Sequence, residues 1–98
     1  MAASKDNIVK GKTASGFEYK IDPEALDDME MLENFTAISK GDMSSLAETL
    51  TMLLGLDQKK RLYEFCRGKN GRVSMARVVE ETSGIFESIK EGNSPVKN

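Results

Sequence analysis

Residues 16–33, GFEYKIDPEALDDMEMLE, change their period halfway along. Up to Ile21, apolar and polar residues alternate, and Phe17, Tyr19 and Ile21 share one side of a strand. From Asp22 the apolar residues recur at helical spacing. Asp22 is a favourable N-cap, and Pro23 suits the first helical position, where its missing N–H costs nothing. A strand therefore hands over directly to a helix, and this junction sets the fold class.

Upstream, Ile8–Lys12 reads as a second strand, joined to Phe17–Ile21 through the turn residues TASG. The pair makes a β-hairpin. A lone hairpin is marginal in water, so this one must pack on a helix or pair with another chain.

Downstream, the helix that starts at Asp22 is expected to run about four turns and to end near Gly41. At 100° per residue, Ala25, Met29, Leu32 and Thr36 fall on one stripe, flanked by Met31 and Phe35, while Glu30, Glu33 and Asn34 point away. A second helix opens at Ser45, which stands at capping-box spacing from Glu48. Leu46, Leu50, Leu53 and Leu54 form its apolar side, and Gly55 ends it. Asp57 is expected to cap a third helix with Leu62, Phe65 and Cys66 inward and Gly68 as terminator. After the turn KNG, Ser74 caps a fourth helix whose stripe is Val78, Thr82, Ile85 and Ile89, with Val79 and Phe86 adjacent. The expected fold is α+β and predominantly helical: an N-terminal β-hairpin followed by about four short helices. One domain spans 8–91, between a flexible N-terminus (1–7) and a flexible polar tail (92–98).

Composition narrows the function. Ninety-eight residues suit a single domain, and Leu, Ile, Val and Phe supply 22 of them, enough for one modest core. The formal net charge of −2 favours neither nucleic acid nor a membrane surface as a partner. The N-terminus has no apolar core of a signal peptide, and the longest apolar run, MLLGL, is far short of the ~20 residues of a membrane helix. The single cysteine, Cys66, excludes an internal disulfide and fits a reducing cytoplasm. There is no histidine, which removes His-based triads, His metal ligands and the usual general base near neutral pH. No catalytic, cofactor-binding or metal-ligating residue is assigned, and the chain is read as a non-enzyme.

Three features are candidate sites. Seven of the sixteen residues from Glu18 to Glu33 are acidic, against one lysine. They lack ligand spacing and are read as helix-dipole and solvent-facing acids, or as a partner face. CRGKNGRVSMAR (66–77) places Gly71 and Val73 as a calcium loop would, but puts Arg77 at the bidentate position, where a cation is repelled. From Lys59 to Arg77 there are seven cations and one acid, so the chain has an acidic and a basic pole in sequence. Such poles suit contact with a protein partner or with further copies of the chain. The weaker alternative is a small nucleic-acid-binding regulator using 59–77, for which no aromatic or glycine-rich recognition pattern is present. The methionines Met29, Met31, Met43, Met52 and Met75 suit adaptable apolar surfaces.

The order of FEYKIDPEALDDME, a leucine-rich helix with LLG, and NGRVSMARVVEETSGIFESI resembles the small tail assembly chaperones of tailed phages and prophages of Gram-positive bacteria. The similarity spans roughly residues 16–97. It implies a mostly helical protein of the host-cell cytoplasm that binds the tape measure protein, helps recruit tail tube subunits, and is absent from the mature virion. Many genes of that family also yield a longer product by frameshifting, and on this resemblance the polar tail is where such an extension would join. On this reading the partner-binding residues are Met29, Met31, Leu32 and Phe35 of the first helix, Phe86 of the fourth, and the charged Asp28, Arg72 and Arg77.

Overall fold

The handover from strand to helix at Ile21–Pro23 is where the sequence places it. In the computed structural model, residues 8–92 are described by their backbone and residues 8–89 by their side chains. Strand β1 (Val9–Lys12) pairs antiparallel with β2 (Glu18–Ile21), with Val9 opposite Ile21 and Lys12 opposite Glu18. Thr13 closes the turn, its N–H donating to Phe17 O and its C=O accepting from Gly16 N. Four helices follow: α1 (Pro23–Leu26), α2 (Met29–Ser39), α3 (Leu46–Phe65) and α4 (Met75–Gly92). A 3₁₀ turn, Met43–Ser45, leads into α3. The fold is α+β, an N-terminal hairpin and four helices. None of these helices is long and apolar enough to cross a membrane. The flexible ends expected at 1–7 and 92–98 lie outside the described residues, except Gly92, which ends α4.

The hairpin buries Phe17, Tyr19 and Ile21 against the helices and turns Lys10, Lys12, Glu18 and Lys20 outward. Around that face gather Leu50, Leu53, Leu54 and Leu62 of α3 and Val78, Ile85 and Ile89 of α4. Each such apolar side chain, fully buried, stabilises by about 1.5–3 kcal/mol relative to exposure. The inward residues of the last three expected helices are thus the buried ones, except Phe65, which is half-buried. Two buried hydroxyls on them bond back one turn, Thr49 to Ser45 O and Thr82 to Val78 O, both at 2.7 Å. This satisfies the hydroxyls without breaking the helix.

Polar bonds fix the hairpin on both sides. The Gln58 amide accepts from Lys20 N (2.8 Å) and donates to Lys20 O (2.7 Å), in the way a neighbouring strand would. Arg61 Nη2 donates to Glu18 O at 3.1 Å, and its guanidinium lies 4.9 Å from the Phe17 ring centroid. On the β1 side, Ser88 Oγ donates to Lys12 O.

Three local expectations are corrected. The first helix is not continuous. Asp27 leaves helical geometry (φ −98°, ψ 60°), and Asp28 becomes a second N-cap, accepting from Glu30 N and Met31 N. An aspartate whose carboxylate takes two backbone N–H groups competes with helix continuation. The stripe of that helix is also turned. Met31 and Ile38 are the buried residues of α2, whereas Met29 and Leu32 are 65% and 55% exposed. Finally, Ser45 makes no side-chain cap, because the preceding 3₁₀ turn already carries the chain into α3. Asp42 caps that turn instead, accepting from Ser44 N.

The stop expected at Gly55 is real. Gly55 has φ 83° and ψ 163°, so α3 consists of two helical stretches that meet at a kink there, as the sequence leads one to expect. Gln58 Nε2 donates to Leu54 O at 2.8 Å, and Lys59 Nζ to Thr51 Oγ1 at 2.7 Å, bracing the break.

Candidate functional site

The break between α1 and α2 leaves an apolar groove between α2 and α4. Its walls are Leu26, Met31, Leu32 and Phe35 on one side and Phe86 and Ile89 on the other, and it encloses about 420 Å³. The Phe35 and Phe86 rings stack with centroids 3.8 Å apart and planes at 27°, forming the floor contact between the two helices. Glu87 stands on the rim. The groove wall residue Leu32 is exposed, and so is Met29, one turn before it on α2. Large apolar side chains left this open mark surfaces built for contact.

Four of the expected partner residues therefore meet at one place: Met31, Leu32, Phe35 and Phe86. Met31 contributes as a wall, since it is itself only 2% exposed. Met29 lies beside the groove on α2. Asp28 serves the backbone, as the cap of α2. Arg72 and Arg77 lie elsewhere, on the loop before α4 and on its first turn. Arg77 N–H donates to Ser74 Oγ, the expected cap, and its guanidinium sits 5.9 Å from the Phe65 ring.

Sequence reasoning missed Leu26, Ile89 and Glu87 as groove residues. Ile89 was assigned to the core, which it also joins. Leu26 was hidden by the continuous-helix reading. On one unbroken helix it would point about 120° away from Leu32. The turn at Asp27–Asp28 re-aims it.

The basic segment 59–77 is largely engaged within the fold. Lys59 bonds Thr51 and lies 5.8 Å from the Tyr63 ring. Arg61 holds β2, as described. Arg67 makes a two-pronged contact with Glu64, at 3.0 and 2.7 Å, and donates to Gly71 O at 2.6 Å. The loop that sequence compared with a calcium site is thus a tight turn closed by a guanidinium, with an isolated bridge between Arg67 and Val73. No cluster of three or more Cys, Asp or Glu suited to a metal occurs among the described residues.

Cys66 is fully buried, and burial pushes its thiol above the ordinary range despite the opposing charge of Arg77. Such a thiol stays protonated at neutral pH.

Comparisons with protein-family models, curated proteins and solved structures returned no match to this chain.

Proposed function

We propose that this protein is a phage tail assembly chaperone, which holds an amphipathic helical segment of the tape measure protein in the groove between α2 and α4 and helps recruit tail tube subunits. The observation that carries the reading is the groove itself, with Leu32 and Met29 left open beside stacked Phe35 and Phe86. A groove of this kind accepts one face of a helix, read as anchors at i, i+3/i+4 and i+7. Glu87 on the rim favours a client helix flanked by Lys or Arg. The sequence resemblance supplies the identity of the client. On this reading the protein works in the cytoplasm of the infected bacterium and leaves the finished tail.

The nucleic-acid reading has less support, because four cations of its segment (Lys59, Arg61, Arg67 and Arg77) already face intramolecular partners.

Co-expression with a tape measure protein tests the proposal. The client is expected to remain in solution and to elute with this protein as one complex. Unchanged client solubility and no shared elution would remove the reading.

A further inference from the structure

The outer face of the hairpin is a second surface, independent of the groove. Lys10, Lys12, Lys20 and Arg61 surround a shallow hollow of about 470 Å³, with Glu18 as the one acid among its lining residues. Lys10 stands directly opposite Lys20. Lys20 turns its N–H and C=O away from β1, toward Gln58. The two lysines therefore form a non-hydrogen-bonded pair, the kind in which side chains stand closest. Like charges in that position oppose folding. Glu18 relieves little of this, since its contact with Lys12 is 3.9 Å long with both side chains mostly exposed. Among the described residues this cationic face is not neutralised.

A complementary segment follows it in the chain. Two residues after Lys20 the acidic segment begins, and Glu24, Asp27, Glu30 and Glu33 are all exposed on α1, the α1–α2 turn and α2. None of them forms an ion pair among the described residues, where the pairs are Lys12–Glu18 and Arg67–Glu64. A second copy of the chain offers both charges, acids for these lysines and lysines for these acids. In a two-fold arrangement each copy's lysines meet the other's acids, so both contacts form together and the assembly closes. A net charge of only −2 per chain leaves little overall repulsion between copies.

We propose that the outer hairpin face, Lys10, Lys12 and Lys20, docks the acidic α1–α2 segment of a second copy of this chain in a closed two-fold dimer.

Sedimentation equilibrium across a salt series, with charge-swapped variants, tests this. The wild-type protein is expected to dimerise at low salt and to dissociate as the Debye length shrinks from about 10 Å at 0.1 M to about 3 Å at 1 M. Lys10→Glu with Lys20→Glu makes one variant, and Asp27→Lys with Glu33→Lys the other. Each alone is expected to be monomeric. An equimolar mixture is expected to restore the dimer, because the reversed face of one matches the reversed segment of the other. That restoration also shows that both variants are folded. A wild-type monomer at low salt would overturn the proposal, as would a dimer indifferent to the reversals. So would a monomer that binds DNA through Lys10 and Lys20, which would assign the face to nucleic acid. Neither result bears on the groove, whose client test is separate.

Discussion

Thr13 Oγ1 donates a 2.7 Å hydrogen bond to Glu81 Oε1, joining the hairpin turn to the middle of α4 across 68 positions of sequence. Both side chains are buried, at 5% and 3% exposure. The same hydroxyl accepts from Phe17 N at 3.1 Å, so one oxygen closes the turn and ties it to the helix. Thr13→Val keeps the shape and removes the donor. A buried acceptor left without its partner costs about 1–3 kcal/mol, more if charged. Urea unfolding is expected to show a loss of that size. A double-mutant cycle with Glu81→Leu is expected to show a coupling, the double variant losing less than the two single losses combined.

Gly55 gives a second stability prediction. Its φ of 83° with ψ of 163° lies in a region that belongs almost exclusively to glycine. A Cβ built there meets nothing within 4 Å, so substitution tests the backbone alone. Gly55→Ala is expected to destabilise by about 1–3 kcal/mol, seen as a lower urea midpoint. Gly84, in the interior of α4, makes the opposite case. Its Cβ would sit 3.5 Å from Thr13 Cβ, an ordinary contact. Gly84→Ala is expected to stabilise by roughly 0.5–1 kcal/mol.

These two glycines show what the sequence discloses. Gly55 was legible as a stop because it ends a run of leucines at helical spacing, and the stripes of α3 and α4 were legible because their buried residues recur with one period. Asp27–Asp28 was not legible. An acid near a helix start can stabilise the dipole from within or cap a new helix, and the choice depends on what the second helix packs against. Met31 and Ile38 decide it by entering the core, which turns Leu32 outward. The groove followed the same limit. Its residue types could be named from helical pattern, but the Phe35–Phe86 stack joins residues 51 positions apart, and no local spacing encodes that meeting.

Acid pH is expected to weaken the fold through two surface carboxylates. Hydrogen bonds from the Ser44 hydroxyl, and then from its backbone N–H, hold Asp42 below its ordinary 3.8. The Arg67 hydrogen bonds, with its charge, hold Glu64 below its ordinary 4.5. In each case the folded value lies below the unfolded one. The stabilisation is therefore complete above the unfolded value and is lost as pH falls through the folded value. Both groups are fully exposed, so the effect is small. Urea midpoints taken from about pH 6 down to about pH 2.5 are expected to fall, and to fall less steeply in Asp42→Asn and Glu64→Gln.

Burial of Cys66 makes a chemical prediction. With no exposed surface and a thiol raised by burial, it is expected to resist alkylation in the native protein and to react readily in urea. The labelling rate at intermediate urea then reports opening of the contact between α3 and α4. Rapid labelling without denaturant would contradict the packing described around Leu62, Cys66 and Val78.

The groove is best tested where folding and binding separate. Leu32 is 55% exposed, so Leu32→Ser is expected to change stability by no more than about 0.5 kcal/mol. If Leu32 anchors a client helix, the same change is expected to weaken client binding at least tenfold, or about 1.4 kcal/mol. Phe86→Ala removes the ring stacked on Phe35 and is expected to lower stability and binding together. Met75 is the control, being 63% exposed and placed at the far end of α4 from the groove. Met75→Ser is expected to leave both unchanged. Titration calorimetry with a tape measure fragment, beside urea unfolding of each variant, separates these outcomes. Client binding that survives Leu32→Ser but is lost in Met75→Ser would move the docking surface to the other end of the helix.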